Sequence, residues 1–208
     1  MFDDGFRGRL AELFAWRRDV RRFKPDPVPP SLVESLVRAA ALAPSVGNSQ
    51  PWRFVSVETL SLREAVIANF NACNAAALSS YEGERAALYA RLKLSGLNEA
   101  PVHLAVFCDH DTQAGYELGR KTMPEMLDYS VVAAVHTLWL CARAKNLGVG
   151  WVSILDPKEI CRALEVPASW KLIAYLCAGY PEEEHLDPEL ERHRWQEHLA
   201  ESERLHRR

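Results

Sequence analysis

Several things are missing from this 208-residue chain, and each absence narrows the reading. It has five cysteines (Cys73, Cys108, Cys141, Cys161 and Cys177), none closely paired, so no disulfide framework is expected and the thiols read as reduced. No apolar run approaches the length that spans a bilayer. The first residues lack the basic start and apolar core of a secretion signal, so an unsecreted, cytoplasmic protein is expected. There is no excess of positive charge: the net charge of −3 argues against general nucleic-acid binding. Repeats, linkers and low-complexity stretches are also lacking, and residues 1–208 read as one domain. Cys108-Asp109-His110-Asp111 stands alone, with no second ligand pair at a familiar spacing, and no metal is expected.

What is present is ordinary in bulk, 48% hydrophobic and 25% charged, and unusual in one place. Arg17-Arg18-Asp19-Val20-Arg21-Arg22 packs four arginines and one aspartate into six residues. The cluster follows a run helical in its spacing over residues 5–16 and precedes Pro25, Pro27, Pro29 and Pro30. Guanidinium forks on a constrained turn suit a phosphate. The alternative is a solvated basic face with Asp19 in a surface salt bridge.

Beyond the prolines, Ser31 to Glu34 has capping-box spacing and opens a helix that must stop near Pro44. A polar, proline-bounded turn follows over residues 44–52, then a strand over 53–57. Ser61 to Glu64 repeats the box before a helix over 61–79, with another over 82–94. The nearly continuous apolar run 102–108 fits a strand covered on both faces. The longest helix is predicted over 125–146, with Gly148 as its C-terminal signal. Residues 149–154 and 172–177 read as strands, and Asp156-Pro157-Lys158-Glu159 as a capped helix start. The tail from 188 is charged and helix-prone, with Leu190, Trp195, Leu199 and Leu205 on one side, and residues 182–208 are expected to pack on a second subunit. Together these predict an α+β sandwich, a central mixed sheet flanked by helices.

Three segments in order carry a resemblance: Arg-Arg-x-Val-Arg-x-Phe at 17–23, Ala-Pro-Ser-x-x-Asn-x-Gln-Pro-Trp at 43–52, and a long helix ending in Leu-Gly-Val-Gly-Trp-Val-Ser at 147–153. From about Leu13 to Pro181 the chain resembles the FMN-dependent nitroreductase superfamily. The resemblance implies an intertwined homodimer with flavin at the subunit boundary, with Arg17, Arg18, Asp19, Val20 and Arg21 along the phosphate and ribityl tail. It implies Ser45 and Gln50 at the polar edge of the ring, Lys93 near N1 and O2, Leu94 beside it, and Ser153 facing N5. Asp19 stands where ordinary members usually carry serine. That residue, with the stretches around Gly83-Glu84-Arg85 and Leu92-Lys93-Leu94, is similar to a flavin-consuming branch of the superfamily.

Membership of that branch implies that reduced FMN is substrate, that dioxygen is co-substrate, and that NADH or NADPH acts through a separate flavin reductase. The expected products are 5,6-dimethylbenzimidazole, the lower ligand of cobalamin, and erythrose 4-phosphate. Asp19 is the expected base at the ribityl end, and Ser153 the expected hydroxyl that steers proton transfer. An NAD(P)H-dependent nitroreductase and a non-catalytic FMN-binding protein are the rival readings.

Overall fold

The computed structural model describes residues 1–199 and 206. Four strands form one sheet in the order β1-β2-β4-β3: β1 Trp52–Ser56, β2 Val102–Asp109, β3 Gly148–Val152 and β4 Trp170–Gly179. Seven α-helices surround it among the described residues: α1 Asp4–Trp16, α2 Pro30–Ala40, α3 Leu60–Leu78, α4 Gly83–Tyr89, α5 Met126–Arg143, α6 Pro157–Ala163 and α7 Glu189–Arg192. The α+β sandwich is as expected, with one difference in pairing. Every strand pair is antiparallel, and the parallel element is an isolated bridge between Asp19 and Val149.

The central strands β2 and β4 are covered on both faces, which explains their unbroken apolar runs. Alternation along β2 divides the core. Leu104, Val106 and Cys108 point to a cluster made with α2 and α5, while Ala105 and Phe107 point to one made with α3 and α6. Helix α5 buries Leu127, Val131, Ala134, Val135, Leu138, Trp139 and Ala142, so its apolar stripe is a core surface, as its spacing predicts. Tyr129 and Val132 stay exposed on its outer side.

Three local expectations need correction. Neither capping box forms. Helix α2 already begins at Pro30, whose locked φ suits a first helical position, and Glu34 pairs instead with Arg38 at 3.5 Å. Helix α3 begins at Leu60, so Ser61 lies inside its first turn and caps nothing. Gly148 does not close α5. Asn146 takes the left-handed conformation (φ 59°), with Leu147 N–H bonded to Ala142 O and Asn146 N–H to Arg143 O, both at or below 3.0 Å. Gly148 thereby belongs to β3, where it has a different task. Helix α4 ends at Tyr89, five residues short of the predicted 94, which leaves Lys93 and Leu94 in a loop.

Asp156 does cap α6, accepting from Lys158 and Glu159 N–H at 2.8 and 3.2 Å. Trp195 of the tail packs on its own chain, beside Tyr81 (5.6 Å) and beneath the Arg85 guanidinium (4.5 Å). Leu205 lies outside the described residues.

Candidate active site

The site is built on the two glycines of β3. Val20 donates its N–H to Val149 O at 3.0 Å, so the segment after α1 lies flat across the strand. A Cβ on Gly150 would stand 2.1 Å from Val20 O, and one on Gly148 would stand 2.8–2.9 Å from the Val20 side chain. Only residues without side chains let the two backbones approach so closely. This contact presents Asp19 to the end of β3. Its Oδ1 accepts the Trp151 N–H at 2.9 Å, and its Oδ2 accepts Arg21 Nε at 2.7 Å. Arg21 then reaches on to Lys93 O at 2.8 Å. The Arg21 side chain is 13% exposed and that of Asp19 31%. The carboxylate is therefore fixed and charge-compensated, yet keeps an open side and spare lone pairs.

The arginines divide by partner. Arg21 belongs to Asp19, and Arg22 to Glu183 (3.1 Å) and Glu189 (2.7 Å). Arg18 donates to Leu186 O at 2.6 Å and Arg17 O at 2.9 Å, with no carboxylate partner among the described residues. The Arg17 backbone N–H donates to Leu13 O at 3.0 Å, and its guanidinium has no hydrogen-bond acceptor among the described residues. Burial and the neighbouring Arg18 charge push its pKa below the usual guanidinium value, against the pull of Asp19. Among the described residues, no carboxylate forms an ion pair with either Arg17 or Arg18.

The other predicted residues fall into two groups. Lys93 and Leu94 join the Asp19 side, though differently from expectation. The Lys93 ammonium is ion-paired with Glu99, and it is the Lys93 carbonyl that meets Arg21. Leu94 packs with Val20 against the α3–α6 cluster. Ser153 is the first residue past β3, exposed and without a hydrogen bond among the described residues.

Ser45 and Gln50 sit elsewhere. They bracket one turn, with Gln50 N–H donating to Ser45 Oγ at 3.1 Å. Gly47, Asn48 and Gln50 all have positive φ (57°, 55° and 46°), a conformation that costs about 1 kcal/mol at each non-glycine residue. Val46 N–H anchors this turn on Ser130 Oγ at 3.0 Å, near the start of α5. Trp139, beside Arg17, lies nine residues along the same helix, roughly 13 Å away at the helical rise. Among the described residues no hydrogen bond links Ser45 or Gln50 to Asp19; their turn is anchored near the start of α5 and Arg17 near its end.

Asp128, far away in sequence, joins Cys108 and His110 with ligand-type atoms within 4.8 Å of one another. The carboxylate is already shared between His110 Nε2 (2.8 Å) and Lys171 Nζ (2.6 Å). Burial, with Asp128 close by, pushes the Cys108 thiol up to about 12. The cluster is a hydrogen-bonded ion-pair network.

Residues 14–180 match the model of the nitroreductase family. The chain belongs to that family. It is 58% identical over 196 residues, 94% of this chain and 93% of the relative, to the 5,6-dimethylbenzimidazole synthase of Rhodospirillum rubrum. It is 50% identical over 198 residues, 95% of this chain and 96% of the relative, to the enzyme of that name from Rhodobacter capsulatus. The structure of iodotyrosine deiodinase bound to FMN and 3-iodo-L-tyrosine superposes with a TM-score of 0.69 at 27% identity, over 85% of this chain and 91% of that one. A nitroreductase family protein from Streptococcus pneumoniae shares the fold at 19% identity and a TM-score of 0.68, over 96% and 100% of the two chains.

This member of the nitroreductase family is thus an oxidoreductase, as the segments at 17–23, 43–52 and 147–153 imply. The donor set fits FMN. A half-buried Arg17–Arg18 pair, without a carboxylate partner among the described residues, calls for a dianion such as a terminal phosphate. A positioned carboxylate lies two residues further on. Among the described residues, no helix is long and apolar enough to cross a membrane.

Proposed function

We propose that this enzyme fragments reduced FMN with dioxygen into 5,6-dimethylbenzimidazole and erythrose 4-phosphate, supplying the lower ligand of cobalamin. The observation that carries the reading is the Asp19 carboxylate, held by two donors beside an arginine pair without a carboxylate partner among the described residues. The names of the relatives from Rhodospirillum and Rhodobacter support it.

Reduced FMN, when bound, supplies the oxygen-reactive ring and the ribityl carbon that enters the product. Arg17 and Arg18 hold its phosphate through charge-assisted hydrogen bonds. Arg21 keeps Asp19 in one orientation, and Val20 and Leu94 give the floor an apolar lining that excludes water. Asp19 takes a proton at a carboxylate oxygen from the sugar arm. Ser153, exposed just past β3, passes a proton through its hydroxyl. Lys93, tied to Glu99, keeps a cation close to the Arg21 end.

A second copy of the chain supplies Ser45 and Gln50. The exposed Tyr129 and Val132 on α5, and Phe6, Leu10 and Phe14 on α1, are apolar surface suited to burial between two copies. NADH or NADPH reaches the reaction through a separate flavin reductase.

The test uses purified protein, chemically reduced FMN and air-saturated buffer, with products identified by mass spectrometry. A benzimidazole and a tetrose phosphate in equal amounts are expected. No benzimidazole, with NAD(P)H consumed instead when a nitroaromatic is added, would establish an ordinary nitroreductase.

A further inference from the structure

Among the described residues, every arginine side chain lining this site has an acceptor except one. Arg18 is bound by two carbonyls, Arg21 by Asp19 and Lys93 O, and Arg22 by Glu183 and Glu189. Arg143, one turn along α5 from Trp139, is paired with Glu184 and lies over Trp16 at 5.5 Å. Arg17 is held by an aromatic face alone: its guanidinium carbon sits 5.0 Å from the Trp139 ring centroid.

The kind of support matters. A carboxylate would fill the edge of the guanidinium fork and cancel its charge. A ring face attracts the cation through its quadrupole and offers no acceptor in the guanidinium plane, so the N–H groups stay available. The same indole does a second thing. Its Nε1–H donates to Arg18 O at 3.3 Å, which pins the peptide that links Arg18 to Asp19. Trp139 is itself 8% exposed and leans on Trp151 with ring centres 6.4 Å apart. Trp151 is the residue whose N–H holds Asp19. One tryptophan therefore keeps the free fork in place and touches the residue that orients the carboxylate.

We propose that Trp139 is a positioning residue that makes the site select a phosphorylated flavin over the same flavin without phosphate, by holding Arg17 in plane with its donors unspent. This rests on the FMN reading and adds the device that reads the phosphate.

The experiment measures dissociation constants of the full chain for oxidised FMN and for riboflavin, by quenching of flavin fluorescence. The proteins are wild type, Trp139→Phe, Trp139→Leu and Arg17→Gln. Wild type is expected to prefer FMN. Trp139→Leu should weaken FMN binding about tenfold, the scale of a partly desolvated cation–π contact, and leave riboflavin within about twofold. Trp139→Phe retains a ring and should keep most of the preference. Arg17→Gln should lose it, and adding Trp139→Leu to Arg17→Gln should cost nothing further. An unchanged FMN-to-riboflavin ratio in Trp139→Leu overturns the proposal. So does an equal loss for both ligands, because that is what a packing defect produces.

Should the leucine variant fail to fold, titration of wild type with inorganic phosphate replaces it. Phosphate should shift the indole emission in wild type and not in Arg17→Gln, and an identical response in the two refutes the role. A wild type without preference for FMN would instead sink the flavin reading itself. Benzimidazole formation alongside an unchanged ratio in Trp139→Leu sinks the tryptophan assignment alone.

Discussion

Replacing Asp19 with asparagine tests the chemistry with little change in shape. Trp151 N–H and Arg21 Nε are both donors, and each now has its own carboxylate oxygen. Asparagine offers one acceptor oxygen, and its NH2 group faces the remaining donor whichever way the amide is turned. One donor is therefore always orphaned. A charge-assisted bond to a buried arginine is worth about 1.5–3 kcal/mol. Asp19 is about one-third exposed, so water recovers part of that, and the net loss should be about 1–2 kcal/mol. For a chain of this length that lowers Tm by on the order of 5 °C. Arg17 and Arg18 do not depend on Asp19 for their hydrogen bonds, so the FMN dissociation constant should stay within about threefold. Product formation from reduced FMN should fall at least about 100-fold, the scale of a lost general base. Single-turnover mixing in air, with benzimidazole measured by mass spectrometry, reads the last quantity, and a thermal melt reads the first. Product formed at the wild-type rate would falsify the base assignment. Product and FMN affinity lost in parallel would make Asp19 a structural clamp on Arg21.

Gly150→Ala places a methyl group 2.1 Å from Val20 O, so the segment must lift off β3; Tm should fall by several degrees and FMN binding should be lost. Gly8→Ala, in exposed helix with nothing within 4 Å, should instead raise stability by about 0.5–1 kcal/mol, and equal effects from the two substitutions would refute the close-approach argument. Burial and the charge of Arg63 lower the His103 pKa from 6.5 to about 4. The unfolded chain thus takes up a proton that the folded chain refuses, so this contribution to stability is complete above pH 6.5 and is lost as pH falls towards 4. About 2 kcal/mol should disappear between pH 6.5 and 5 in urea titrations, and His103→Gln should flatten the profile; parallel profiles would count against it. Asp156→Ala removes the one oxygen that accepts two N–H groups at the start of α6 and should cost about 1 kcal/mol, visible as a small drop in the urea midpoint. Sedimentation should find a dimer, and Val132→Glu, placed on the exposed side of α5, should weaken it while leaving the monomer folded.

The sequence is most informative where burial decides structure. Strand β2 and helix α5 are legible because a segment covered on two sides, or along a broad stripe, must be apolar throughout. Spacing signals without a packing consequence fare worse. The two Ser-x-x-Glu boxes look alike on paper, but Pro30 and Leu60 have already started those helices, so neither serine is in position to cap. Gly148 reads as a helix stop because glycine favours left-handed turns. Asn146 takes that turn, and the glycine is needed where Val20 crosses β3. The site divides in the same way. That a carboxylate and several guanidinium groups converge is visible at residues 17–22, because neighbours in an extended segment cannot be far apart.

Which arginine remains free is another matter, since all four are chemically equivalent in the sequence. Their partners are Lys93 O, Leu186 O, Glu183 and Glu189, between 72 and 168 residues distant. Only folding brings those acceptors to Arg18, Arg21 and Arg22 and leaves an aromatic ring for Arg17. Local sequence thus determines that an anion site exists, and long-range acceptors determine which guanidinium serves it. Substituting Glu183 and Glu189 together would therefore change the charge available to a phosphate without touching the motif, by releasing Arg22 as a competing donor.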